Sequence, residues 1–596
     1  MFEINFGQRA SENLEGNWGL LPDPMERCRQ QGWWKNQRKP GYFFPSYDDD
    51  GFWPTQVPGA YNIIHPNLEF YEGDVIYLLH FPAKPAEKGE RVYLSFEGVA
   101  DRCQVYLNGH LVAEHDGPYT PFPVEVTQQL KAENRLLLVV NCKRLEDSVP
   151  GMRHDWFRYG GIHGPVCLYR VPDLFVQDVA LQTTLLPGDL VRLRLEVRLY
   201  GINRDLDHPV RAWLEDSSGK KVASWQIAGR AKTWVREAVE LPRSFVQLWA
   251  PGHPHLYRLV VECGLDRWED EVGLRQIEAK GTRLLLNGED IFLHGACTWI
   301  HDPQSGIIST RKETADKLVS VGRDLNVNFF RTGHTPPSRE YIRACDRAGI
   351  LLWSEIPAYW MGPTMVEPAA MHRALSMAQE MLCAFRNSPS IILWSVGNEC
   401  CLHDTETPVT NLFYFLTMAE FFHAHDPTRL VTYTGGMEGS ASPHVKKICP
   451  PELVEQLDVV GINTYAGIND GADKDAPEEI GNLALCIETA HSFGKPMILA
   501  ENGIDAVLGE TSFDFGEDRQ EAYYQKTWAI IDRLRREGKI QGVSYWVLTD
   551  YRTPIKFSRH QNGYNRKGLM TVDFKPKKAF LVAAQAYAGL AANPKP

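Results

Sequence analysis

Two stretches of the chain run apolar into a glutamate: Leu393-Trp394-Ser395-Val396-Gly397-Asn398-Glu399 and Pro496-Met497-Ile498-Leu499-Ala500-Glu501. A carboxylate at the end of such a run is costly to bury unless it is paired or put to use. Taken singly, each glutamate could be one half of a structural ion pair. What surrounds them decides the fold. Outward from these runs, short apolar strands alternate with helical patterns, the rhythm of a parallel α/β domain. The strand-like stretches are 291–295, 327–331, 350–355, 391–396, 430–434, 459–463, 497–501 and 543–547. Helical patterns at 312–324, 371–386, 411–425 and 519–536 fall between them, and 578–591 follows the last. Eight such units predict a (β/α)8 TIM barrel with the two glutamates on strands four and seven. A doubly wound sheet would need a Gly-rich phosphate loop after its first strand, and Gly295-Ala296-Cys297-Thr298 is not one.

The first half of the chain reads differently. Val92-Tyr93-Leu94-Ser95-Phe96 and Cys103-Gln104-Val105-Tyr106-Leu107 are strand-like, and Asn108-Gly109 makes a two-residue hairpin turn into His110-Leu111-Val112. Many short strands with few helical patterns predict a jelly-roll β-sandwich. The alternation in Val191-Arg192-Leu193-Arg194-Leu195-Glu196-Val197, in a segment of about a hundred residues, predicts an immunoglobulin-like sandwich. The expected domains are therefore a jelly roll over 1–175, an immunoglobulin-like sandwich over 176–278 and a catalytic barrel over 279–596.

Composition narrows the function. A net charge of −12 argues against a nucleic-acid partner, because phosphate binding needs a basic surface. The 16 Trp, 23 Tyr and 26 Phe are mostly core material, but they also stack on sugar rings. No apolar run is long enough for a membrane span, and Met1-Phe2-Glu3-Ile4-Asn5 does not open a signal peptide. The 12 Cys lack CxxC or Cys/His metal spacing, which suits buried thiols in a reducing cytoplasm. Neither a cofactor nor a metal is expected.

In a TIM barrel, chemistry sits at the C-terminal ends of strands. Two carboxyls there suit a retaining glycosidase, in which one protonates the leaving oxygen and the other attacks the anomeric carbon. Glu399 is the expected acid/base and Glu501 the expected nucleophile, whose charge would raise the proton affinity of Glu399. Asn398 is placed to donate its amide to a sugar hydroxyl.

These residues carry a likeness. The chain resembles glycoside hydrolase family 2, the family of β-glucuronidases, β-galactosidases and β-mannosidases, over nearly its whole length. Gly273-Leu274-Arg275, Leu286-Asn287-Gly288 and Leu293-His294-Gly295 are similar to the family's entry into the barrel. Asn398-Glu399 resembles its acid/base motif, and Glu501 its nucleophile. Within the family, Asn565-Arg566-Lys567-Gly568 resembles the Asn-x-Lys motif with which the β-glucuronidase group grips a uronic acid carboxylate. The resemblance further implies substrate contacts for Asp155, Tyr465 beside the nucleophile, Trp546 in the pocket wall, and His334, His301 and Asp302 at strand ends. It also implies a homo-oligomer with a small carbohydrate or glycoside as substrate.

The chain departs from the family in places. No Pro follows the acid/base, where Cys400-Cys401 stand, and Asn502 replaces the aromatic residue often found after the nucleophile. The lead into Asn565, through Arg552-Thr553-Pro554, Arg559-His560-Gln561 and Tyr564, is longer than in familiar glucuronidases. The expected activity is retaining exo-hydrolysis of a terminal β-glucuronide, with a β-galacturonide or a neutral β-galactoside as alternatives. A non-catalytic carbohydrate binder is disfavoured, since binding alone needs no nucleophile.

Overall fold

The structure, a computed structural model, describes residues 3–35, 49–152, 154–201, 207–299, 311–400, 408–437, 449–465, 477–512 and 514–592. Its N-terminal part packs a four-stranded sheet against a six-stranded one around a core that includes Leu94, Phe96, Val105, Leu136, Leu138 and Val140. Strand alternation builds both faces. In Glu133–Asn141, Leu136, Leu138 and Val140 turn into the sandwich, while Leu137 and Val139 pack outside with Cys28, Ile76, Leu78 and Tyr106. The expected hairpin joins Arg102–Leu107 to His110–Asp116. Asn108 and Gly109 have φ of 51° and 88°, as a type I′ turn requires.

A second sandwich sets Phe175–Leu186, Leu190–Tyr200 and Trp234–Pro242 against a four-stranded sheet. Val191, Leu193, Leu195 and Val197 fill its core, so the alternation read from the sequence is the buried face of a strand.

The third part is a closed barrel of eight parallel strands: Leu293–Thr298, Phe329–Thr332, Leu351–Glu355, Ile391–Asn398, Leu430–Met437, Val459–Thr464, Met497–Glu501 and Gly542–Tyr545. Strand one begins two residues later than predicted. Ile291 instead donates its N–H to Leu284 in a small sheet whose Ile277, Leu284 and Leu286 plug the strands' N-terminal ends. Gly295 is required where it stands, since a Cβ would lie 1.7 Å from the Phe329 carbonyl on the next strand. Arg275 ties the linker to the barrel floor by donating to the carbonyls of Pro389, Thr428 and Ile391. Between the strands stand helices at the expected places, together with Arg339–Ala348, Pro451–Gln456 and Pro477–His491. Among the described residues no helix is long and apolar enough to cross a membrane.

The first sandwich also reaches the open end of the barrel. Phe157 donates its N–H to the carbonyl of Arg552 at 3.0 Å, and the Arg552 guanidinium lies 4.0 Å from the Phe157 ring centroid. This contact carries Asp155 into the barrel mouth.

Candidate active site

Glu501 is the last residue of strand seven and is 3% exposed. Arg331, from strand two, donates to its Oε1 at 2.6 Å, and Tyr465 donates to its Oε2 at 2.5 Å. The Nε2 of His334 lies 3.6 Å from Oε1. Burial pushes the Glu501 carboxyl above the ordinary range; Arg331 and His334 pull it back, and Glu399 adds to the rise. Burial and the nearby Glu501 keep the Tyr465 hydroxyl protonated, and so a donor.

Arg331 is fully buried and serves more than one acceptor. Its Nη2 reaches Glu355 at 3.0 Å and the Asn398 side-chain oxygen at 2.7 Å. Burial works against its charge, but Glu355 and Glu501 together outweigh that cost. Glu355, at the end of strand three, also accepts from Ser395 at 2.9 Å and lies 2.8 Å from His334 Nδ1. Burial would raise its pKa, yet Arg331 and His334 bring it down to about 2. Glu355 is thus a permanent anion that fixes Arg331 and His334 beneath the nucleophile.

Glu399 follows strand four in the left-handed region, with φ 46°. Trp360 donates its indole N–H to Oε2 at 2.8 Å, and Asn463 its amide to Oε1 at 2.9 Å. The same Asn463 amide reaches the Asn398 oxygen at 3.1 Å. Glu501, Arg331, Asn398, Asn463 and Glu399 therefore form one hydrogen-bonded chain across the barrel mouth. With the Asn398 oxygen committed to Arg331 and Asn463, its buried NH2 has no partner among the described residues. That vacant donor fits a sugar hydroxyl.

The third edge is built by loops. Asp155 accepts from Thr553 at 2.6 Å, Asn565 at 3.1 Å and Tyr551 at 3.2 Å. Lys567 pairs with Asp505 at 3.2 Å and stands 5.3 Å from the Tyr465 ring centroid. Burial opposes the Lys567 charge, but Asp505 and Asp155 raise its pKa overall; Asp505 in turn is held well below the usual range by Lys567 and Lys556. Trp546 stacks on His334 with ring centroids 5.0 Å apart.

The structure thus brings Glu399, Glu501, Asn398, His334, Tyr465, Trp546, Asp155, Asn565 and Lys567 to one mouth. His301 and Asp302 lie outside the described residues. Asn565 differs in detail from its expected task, because its amide is engaged by Asp155 and by Tyr551 at 2.8 Å. Sequence reasoning passed over Arg331, Glu355 and Asn463, although each lies within a residue of the end of an apolar strand, as Glu399 and Glu501 do. It also missed Trp360, Tyr551, Asp505 and Lys556, which no local pattern marks. Among the described residues no group of three His, Cys, Asp or Glu could hold a metal ion.

Comparison with known proteins agrees with this fold. Residues 12–172 match "Glycosyl hydrolases family 2, sugar binding domain", and residues 277–592 match "Glycosyl hydrolases family 2, TIM barrel domain". A β-glucuronidase of Paenibacillus borealis is 28% identical over 96% of either chain. A β-galactosidase of Thermoanaerobacterium thermosulfurigenes is also 28% identical, over 84% of this chain and 67% of its own. The structure of Bifidobacterium dentium β-glucuronidase, complexed with coumarin-3-O-glucuronide, superposes with a TM-score of 0.86 at 25% identity, covering 98% of this chain and 99% of that one. The chain belongs to glycosyl hydrolase family 2.

Proposed function

We propose that this glycosidase removes terminal β-linked glucuronic acid with retention of configuration. Glu501 attacks the anomeric carbon while Glu399 gives its proton to the departing glycosidic oxygen, which leaves a glycosyl ester on Glu501. Glu399, now a carboxylate, takes a proton from water as that water attacks the same carbon, and the ester bond breaks to release the sugar and free Glu501. Arg331 and Tyr465 stabilise the Glu501 carboxylate before attack and after release, and the Asn398 amide is available to the hydroxyl next to the anomeric centre. Asp155 serves the hydroxyls on the far side of the ring. Trp546 and His334 form the wall; His301 and Asp302, which lie outside the described residues, are proposed as further substrate contacts.

The observation that carries the sugar assignment is the largely buried Lys567 ammonium beside Tyr465, whose hydroxyl donates to the nucleophile. A neutral hydroxymethyl group there would leave the ammonium without a substrate partner; a carboxylate supplies one. The Paenibacillus and Bifidobacterium relatives support this reading, and the Thermoanaerobacterium relative supports a neutral β-galactoside as the second. Chromogenic β-glucuronide, β-galacturonide and β-galactoside, assayed with and without chelator, separate them. The glucuronide should be preferred. Lys567→Ala should cost about 2–5 kcal/mol of transition-state stabilisation on it, the scale for truncating a buried charged pair, and far less on the galactoside. Wild-type preference for the galactoside would sink the uronidase assignment.

Three further expectations accompany this reading. The chain divides into domains near 175/176 and 278/279, supported by a hydrophobic core within each sandwich and another within the barrel. It works in the cytoplasm, supported by the largely buried thiols of the described cysteines. It assembles as a homo-oligomer without nucleic-acid or membrane partners, which light scattering coupled to size exclusion would check.

A further inference from the structure

We propose that Lys556, on the loop after barrel strand eight, is a second specificity residue whose ammonium binds the sugar carboxylate together with that of Lys567. This rests on the uronide reading above and deepens it. Lys556 lies outside the Asn565-Arg566-Lys567 motif, in the lead that runs from Arg552 to Tyr564.

The geometry that supports the inference is a set of four charges from three separate parts of the chain. Lys556 Nζ stands 3.7 Å from Asp155 Oδ2, and Lys567 Nζ 3.2 Å from Asp505 Oδ2. The two amines are near enough for each to act on the other's charge. Their side chains are only 17% and 15% exposed. Like charges in a site this dry repel strongly unless anions hold them together, and the two aspartates do so from opposite sides. Asp155 comes from the first sandwich and Asp505 from the loop after strand seven. Both carboxylates are already engaged: Asp155 by Thr553, Asn565 and Tyr551, Asp505 by the N–H of Arg566 at 3.1 Å. The result is a pair of neighbouring ammonium groups, with Lys567 beside Tyr465, fitted to the two oxygens of one carboxylate.

The charge balance gives the pair a measurable signature. Two lysines offset two aspartates at rest, and an arriving carboxylate adds one negative charge. Burial and the Lys567 charge push the Lys556 amine down to about 8, against the pull of Asp155 and Asp505. The charged groups acting on it are Lys567 from the following segment, Asp155 from the sandwich and Asp505 from the loop after strand seven; Asp155 is itself held by Asn565, Tyr551 and Thr553. A bound uronate adds an anion to this set and draws a proton onto Lys556.

The test uses the full-length enzyme, Lys556→Met and Lys556→Arg. Each is assayed on 4-nitrophenyl β-glucuronide and 4-nitrophenyl β-glucoside, and titrated calorimetrically with D-glucuronate at pH 8 in two buffers of different ionisation heat. The ratio of kcat/KM on glucuronide to that on glucoside should fall roughly ten- to hundredfold in Lys556→Met, the range for a charge-assisted hydrogen bond, and Lys556→Arg should restore most of it. Wild type should take up about half a proton per glucuronate bound, and Lys556→Met close to none. Because the ratio compares two substrates on one protein, a general folding defect does not move it. An unchanged ratio in Lys556→Met, with wild type preferring the glucuronide, overturns the role of Lys556 and leaves the uronide reading standing. So does proton uptake that survives the substitution. Wild-type preference for the glucoside overturns both.

Discussion

Arg331, Glu355, Asn398 and Glu501 stand on four barrel strands and are between 0% and 3% exposed. Lys556, Lys567, Asp155 and Asp505 stand on loops from three parts of the chain, and the two lysine side chains keep 17% and 15% of their surface. Both groups are dense networks of charge, built of different materials. At the nucleophile end the hydrogen-bonded barrel fixes each side chain's origin, and a single arginine serves two carboxylates and an amide. At the recognition end the positions depend on how a sandwich segment and two barrel loops meet. A TIM barrel holds chemistry on strand ends and varies specificity on loops. Here the division runs through one pocket, so damage to the strand-borne end should remove catalysis or stability, and damage to the loop-borne end should change which sugar is accepted.

The largest effect belongs to Glu501. Glu501→Ala should lower kcat by a factor on the order of 10⁶, the scale seen when a covalent nucleophile is removed, and equally for charged and neutral sugars. Added azide should rescue Glu501→Gly with the α-glycosyl azide as product, and Glu399→Ala with the β-azide. The opposite anomers would exchange the two roles, and an inverted product from wild type would remove the double displacement.

Glu355 tests whether the strand-borne end is also a stability element. Its carboxyl falls from the usual 4.5 to about 2 in the fold. A group depressed on folding stabilises above its unfolded pKa and loses that contribution as pH falls through its folded one. Glu355→Gln should therefore cost about 3 kcal/mol at pH 7, and roughly half of that at pH 3. Urea unfolding at the two pH values measures both numbers. A loss under about 1 kcal/mol at pH 7 would mean that Arg331 holds its position without Glu355, and the contrast in rigidity between the two ends would fail.

The same division explains what could be read from the sequence. Barrel strands announce themselves as apolar runs, and a charged residue closing such a run is conspicuous, which is how Glu399 and Glu501 stand out. Arg331, Glu355 and Asn463 close their runs in the same way and were legible by the same rule, but nothing local distinguishes a residue that touches substrate from one that steadies its neighbour. The loop residues obey no such rule. Lys567 is visible through a family motif, whereas Lys556, Asp505 and Tyr551 gain meaning only when the fold sets them around Asp155, which lies some four hundred positions away from Tyr551 and Lys556. Asn565 shows the limit of a motif: its position was legible, but its engagement with Asp155 and Tyr551 depends on a domain contact that no short pattern encodes.

The smallest expected effect lies where the two ends meet, at Trp360. Its indole N–H donates to Glu399 Oε2 at 2.8 Å, from a loop residue to the carboxyl that closes a strand. Trp360→Phe keeps the ring and removes the donor, while the Asn463 amide continues to hold Oε1. The expected cost is about 1.5 kcal/mol, the lower end for a hydrogen bond to a charged group, or roughly tenfold in kcat/KM. The loss should depend on the leaving group. A 4-nitrophenol departs with little protonation, so misplacing the acid there should matter less; an alkyl alcohol needs the proton, so the full loss should appear on an alkyl glycoside. Matched assays on 4-nitrophenyl and methyl glucuronides separate the cases. A loss confined to the methyl glycoside would place Trp360 with the catalytic strand ends through its hold on Glu399. An equal loss on both substrates, carried in KM, would place it with the loops as a wall for the sugar or its aglycone, and the boundary between the two regions would shift to leave Glu399 steadied from the barrel alone.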